Sequence, residues 1–183
     1  MKIYNWNNET LDVLLNHGAS PNGVPWKGWT SPLAAAIEGS CSKETIQLLH
    51  SHGAEVNPKD FSLVSLAVTS ANFMALEVLL RAGADPNTAE DRNPPLLHAS
   101  QQILRKQSDT AMWLLLQHGA DPLRSVKDGF STLLHKLCSR NWPIQPFLEK
   151  GIDLSITDNE DVLLPSKPAR ASIQTEIVQW QST

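Results

Sequence analysis

Apolar and polar positions along the chain fall into short blocks that repeat. A leucine-rich segment closing on glycine occurs five times. It reads LLNHGASPN over Leu14–Asn22, LLHSHGAEVN over Leu48–Asn57, LLRAGADPN over Leu79–Asn87, LLLQHGADPL over Leu114–Leu123 and, more weakly, FLEKGIDLSI over Phe147–Ile156. The closing glycines Gly18, Gly53, Gly83, Gly119 and Gly151 are 35, 30, 36 and 32 residues apart, a mean period of about 33. A second segment precedes each of the last four glycines by about twenty residues. It appears as Thr30-Ser31-Pro32-Leu33-Ala34-Ala35-Ala36, Ser62-Leu63-Val64-Ser65-Leu66-Ala67, Pro94-Pro95-Leu96-Leu97-His98-Ala99 and Ser131-Thr132-Leu133-Leu134-His135.

Each period predicts two helices. Proline or a small polar residue opens the first, where a missing N–H costs nothing. The second starts after Ser42, Asn72, Ser108 or Asn141, all good N-caps, and stops at a glycine able to turn left-handed. His17, His52, His118 and Lys150 stand just before those glycines, with Arg81 one residue earlier in its copy, where a cation complements the helix dipole. Leucine pairs at 14/15, 48/49, 79/80 and 115/116 predict a buried edge on each second helix. One helix pair alone cannot cover that edge, so neighbours must stack.

The opening segment resembles the Thr-Pro-Leu-His-x-Ala start of an ankyrin repeat, and the later one its Leu-Leu-x-x-Gly-Ala-Asp-x-Asn close. The resemblance runs from about Glu9 to Asp161. It implies an all-α ankyrin-repeat solenoid: helix-turn-helix pairs stacked side by side and joined by finger-like β-turn loops, about five pairs counting partial ends. Residues 1–161 are expected to form the array, beginning at a second helix, and residues 162–183 a degenerate C-terminal repeat or cap. Both ends read either as caps or as the cut edges of a longer array. The extra residues Gln101–Ser108 predict a lengthened first helix in the third full copy. Pro143 and Pro146 degrade the fifth copy, and after Pro165 and Pro168 only Ser172–Trp180 is left to form a last helix.

Composition narrows the function. Of 183 residues 41% are hydrophobic and 19% charged, enough for a buried core. Fifteen Lys and Arg against nineteen Asp and Glu give a net charge of −4, which argues against a nucleic-acid partner. Cys41 and Cys138 make no disulfide framework and suit a reducing, intracellular setting, cytoplasmic or nuclear. The start, MKIYNWNN, lacks signal-peptide order, and the longest purely apolar stretch, Ala111–Leu116, is far too short to cross a membrane. The sequon Asn8-Glu9-Thr10 is expected to be silent.

Candidate chemistry is sparse. Cys41 with His50 and His52 is the tightest metal-like grouping, but His17, His52 and His118 are equivalent repeat positions. Stacked helices lie about 8–10 Å apart, so such a column cannot share a zinc ion that needs each nitrogen at about 2 Å. His98 and His135 adjoin the family's usual structural histidine. His135 and Cys138 share a helix face, yet nothing nearby orients a base or holds an oxyanion. The nine glycines form no phosphate loop. No metal, cofactor or catalytic residue is expected.

Recognition residues are expected at the fingertips, because in such folds the fingers and first helices line an extended concave surface. The candidates are Trp26, Lys27, Trp29, Lys59, Asp60, Phe61, Asp91, Arg92, Lys127, Asp128 and Phe130. Trp26 and Trp29 share the longest finger, and tryptophan favours binding hot spots. Trp113 occupies a register otherwise held by Asp12, Gln47, Glu77 and Gln145, which predicts an outer, convex position for an apolar ring. Asn22, Asn57 and Asn87 are expected to bond across their own fingers; in the family such asparagines can also be hydroxylated. The resemblance implies a monomeric, non-catalytic protein–protein interaction module, a scaffold or adaptor. The alternative is the ankyrin segment of a larger multidomain enzyme or receptor.

Overall fold

The structure, a computed structural model, describes residues 7–23, 31–59, 61–88, 93–104 and 109–123, with the backbone alone for residues 101–104. Among these described residues seven helices follow in order: α1 (Asn8–Asn16), α2 (Pro32–Glu38), α3 (Lys43–Ser51), α4 (Leu63–Thr69), α5 (Phe73–Arg81), α6 (Pro95–Leu104) and α7 (Thr110–Gln117). The first helices α2, α4 and α6 stack in one layer, and the second helices α1, α3, α5 and α7 in another. Within each unit the layers meet as α2 on α3, α4 on α5 and α6 on α7.

Short-range chemistry sets the helix ends. Ser31, Ser42 and Ser62 accept from the backbone N–H three residues on, at 3.2, 3.4 and 3.1 Å. Asn7 caps α1 through Glu9 and Thr10, and Asn72 caps α5 through Ala75. At α7 the expected cap Ser108 lies outside the described residues. Asp109 takes the cap position there, without a side-chain cap bond. The helix after Asn141 also lies outside the described residues. α6 has ten residues where α2 and α4 have seven, the lengthening expected from Gln101–Ser108.

The second helices close on Gly18, Gly53, Gly83 and Gly119, with φ between 86° and 90°. The alanine after each glycine donates back to a carbonyl one turn inside: Ala19 to Leu14, Ala54 to Leu49, Ala84 to Leu79 and Ala120 to Leu115. Two first helices end the same way without glycine. Ser40 and Ala71 hold φ of 52° and 53° while Cys41 and Asn72 donate back to Ala36 and Ala67. A left-handed alanine costs about 1–2 kcal/mol, partly offset because alanine restrains the unfolded chain more than glycine does. Ala71→Gly is therefore expected to stabilise the array by up to about 1 kcal/mol and to raise the melting temperature by about 2–4 °C. A lowered midpoint on thermal denaturation would show that no strain is stored there.

Leu33, Ile37, Ile46, Leu49, Leu63, Leu76, Leu79, Leu96, Met112 and Leu115 are sealed between the layers. Three leucine pairs supply buried edges as expected, with Leu48 half-buried beside Leu49. The first pair departs from expectation. Leu15 is buried but Leu14 is 54% exposed, because no first helix covers that side of α1 among the described residues.

Candidate interaction surface

Each first helix buries two sides and turns the third outward. Ala35, Leu66 and His98 occupy one register: their amides close the first turn onto Ser31, Ser62 and Pro94. All three are half-buried, and each lies between two buried neighbours. Because α2 packs on α4 and α4 on α6, they form a row across three helices. Glu38 and Thr69, three residues on, continue it as an exposed polar margin. A small, a branched and an aromatic side chain in sequence, with no carboxylate or ammonium in the row, make a mainly apolar strip with a polar edge.

Finger asparagines hold the units carrying this row in register. Asn22 Nδ2 donates to Gly53 O at 3.1 Å while its Oδ1 accepts from the Glu55 amide at 2.7 Å. Asn57 repeats both bonds with Gly83 O (3.0 Å) and the Asp85 amide (2.8 Å). Asn87 does so with Gly119 O (3.1 Å) and the Asp121 amide (2.7 Å). The expected bonds across each asparagine's own finger give way to bonds into the following unit. Other side chains make the local turns: Asp85 accepts from the Asn87 amide, Asp121 from the Leu123 amide and Ser20 from the Asn22 amide. Both polar ends of each asparagine are thus free to reach across the stack.

Of the fingertip candidates, Lys59 is exposed and Phe61 is half-buried against the core. Phe61 thus supports the base of its finger as well as lying beside α4. Trp26, Lys27, Trp29, Asp60, Asp91, Arg92, Lys127, Asp128 and Phe130 lie outside the described residues, as do Gln145, His135 and Cys138. The inner-row residues Ala35, Leu66 and His98 are not recognisable as a set in the sequence, since they share only their distance from the helix start.

Trp113 is half-buried. In the same register Gln47 is exposed, and Asp12 of α1 meets His52 of the next unit, with Nε2 3.2 Å from Oδ1. The histidines before the glycines do different work. His17 Nδ1 lies 2.7 Å from the Val13 carbonyl of its own helix, whereas His52 turns to Asp12. Cys41 is a buried free thiol, and burial pushes its pKa up, away from the reactive thiolate. Among the described residues no group of three or more His, Cys, Asp or Glu is placed to hold a metal ion, and no helix is long and apolar enough to cross a membrane. The sequon residue Asn8 is the first residue of α1, and its Oδ1 accepts from Thr45 Oγ1 at 2.7 Å. This bond joins α1 to α3.

No protein-family model and no curated protein matches the sequence. Solved structures do match. The ankyrin repeat domain of Bcl-3, a member of the IkappaB protein family, is similar to this chain with a TM-score of 0.65 and 23% sequence identity, over 85% of this chain and 70% of that one. Paired helices, left-handed glycine stops, forward-reaching finger asparagines and this likeness agree: the chain has the ankyrin-repeat fold.

Proposed function

We propose that the protein is a non-catalytic interaction module that takes a protein partner on its first-helix face and fingers, acting as an intracellular monomer. The observation that carries this reading is the row Ala35–Leu66–His98, a mainly apolar strip on three adjacent helices whose units are tied by asparagine bonds. A strip fixed before binding loses little entropy on association, and this is how a shallow surface reaches useful affinity. The fingertip residues Trp26, Lys27, Trp29, Lys59, Asp60, Phe61, Asp91, Arg92, Lys127, Asp128 and Phe130 flank it in this reading.

A pair of matched substitutions tests the reading. Leu66→Glu places a charge in the row, and Met74→Glu places one on the second-helix face, where Met74 is 55% exposed. With helical content unchanged in both, Leu66→Glu is expected to weaken capture of the cellular partner by about 10-fold or more, the effect of a charge buried at an interface core. Met74→Glu is expected to leave capture unchanged. Equal behaviour of the two variants would remove the first-helix face from the account.

A further inference from the structure

The first finger differs from the later ones at its head. The residue two after each closing glycine is Ser20, Glu55, Asp85, Asp121 and Asp153, four acids and one serine. The first four of these are exposed. Asp85 and Asp121 each accept from the amide two residues on, that of Asn87 or Leu123, at 2.8 Å. Ser20 makes the same bond to the Asn22 amide through Oγ, but at 3.3 Å. An ionised acceptor makes the shorter and stronger bond, so the hydroxyl holds its turn less tightly than the carboxylates hold theirs. The turn matters beyond itself, because the Asn22 side chain grips Gly53 and Glu55 of the next unit.

We propose that Ser20 is a phosphorylation site, the acceptor for a kinase that takes serine followed by proline. Its phosphate supplies at the first finger the negative charge that the later fingers carry as a carboxylate. In the transfer Ser20 Oγ bonds to the γ-phosphorus of ATP and the bond from that phosphorus to the bridging oxygen breaks. ADP leaves, and the hydroxyl proton passes to the kinase's own base. Pro21 has no N–H, which suits a kinase pocket that offers that position no acceptor. The chain holds one other Ser-Pro pair, Ser31-Pro32, and the two differ in accessibility. Ser31 is half-buried, caps α2 through the Ala34 amide and stands beside the buried Leu33 and Ala34. A kinase cleft needs its substrate extended, and extending the chain at Ser31 uncovers core. At Ser20 it undoes one turn bond, from the Gly23 amide to the Ser20 carbonyl, and the exposed bonds of Asn22; none of residues 19–23 is buried. Phosphate brings about −1.5 to −2 charges and three acceptor oxygens to the Asn22 amide. Glu55, Asp85 and Asp121 already place like charges at neighbouring finger heads, where solvent screens them. Phosphorylation thus tightens the turn that sets Asn22 and, through Asn22, the junction of the first unit with the second. The site belongs to the finger and does not depend on the first-helix row.

The test is incubation of the full chain with magnesium, ATP and a proline-directed kinase of the MAP type, followed by peptide mapping by mass spectrometry. Phosphate is expected at Ser20 at a rate about 10-fold or more above that at Ser31, since modification follows the population of the opened segment. Ser20→Ala should remove it. In the phosphorylated chain the Asn22 and Glu55 amides should exchange with deuterium about 3–10-fold more slowly, the gain from a charged acceptor. The Asp85 and Asp121 amides, held in the same way by Asn57 and Asn87, should exchange as before. Ser20→Asp should slow the Asn22 and Glu55 amides with no kinase present. No phosphate at Ser20, equal phosphate at Ser31, or unchanged exchange at Asn22 and Glu55 with the phosphate in place overturns the proposal.

Discussion

Asn72→Ala is expected to destabilise the array by about 2–3 kcal/mol, the largest loss from any single polar side chain described above. Asn72 sits at the start of α5 and is buried. Its Oδ1 accepts from the Ala75 amide at 3.0 Å, and replacing such a cap with alanine costs about 1 kcal/mol. Its Nδ2 donates to the Ile37 carbonyl of the preceding unit at 3.1 Å, a buried bond worth about a further 1 kcal/mol. The space left behind adds to the loss. The Ile37 carbonyl also accepts from the Ser40 amide, so it is not orphaned, which keeps the total below that of a fully broken network. Urea unfolding should show the midpoint fall, with a melting temperature lower by about 5–10 °C. Asn72→Asp keeps the cap acceptor but loses the donor to Ile37, and should also destabilise. A change under about 0.5 kcal/mol in Asn72→Ala would mean that α5 and α2 are not joined through this residue.

The second large effect is expected at a finger. Asn57→Ala removes the bonds to the Gly83 carbonyl and the Asp85 amide, and should cost about 1–2 kcal/mol, since both are exposed enough for water to replace part of each. Its signature differs from that of Asn72→Ala. In a stack held by nearest neighbours, weakening one junction reduces coupling as well as stability. Amide hydrogen exchange should therefore speed up most at Asp85 and along α5, and least along α1. Uniform acceleration through all units would show that the finger bond does not join them. At the fourth finger the equivalent residue is Leu123, whose side chain cannot repeat the two bonds.

Much of the fold is legible in the sequence because its determinants are local. Glycine at Gly53 or Gly83, serine at Ser31, Ser42 or Ser62, and the leucine pairs each act within one helical turn, so their recurrence predicts the helices directly. Longer reach is harder to read. Asn22, Asn57 and Asn87 look like turn residues, and only the stacked geometry turns their amides toward carbonyls 26 to 32 residues away. Leu14 has the same local pattern as Leu79, yet one is exposed and the other sealed, because burial depends on which helix lies alongside. The first-helix row is hidden for the same reason: alanine, leucine and histidine share no chemistry, only a position. Ser40 and Ala71 in left-handed turns are equally invisible, since neither residue type signals a positive φ.

The claim at the centre is that recognition occurs on the first-helix face. Hydroxyl-radical footprinting of the chain, free and bound to its captured partner, measures this most directly, because Leu66, His98, Phe61 and Met74 all carry oxidisable side chains. The account predicts that binding protects Leu66, His98 and Phe61 and leaves the oxidation of Met74 unchanged. Protection of Met74 with Leu66 and His98 still fully reactive would contradict it.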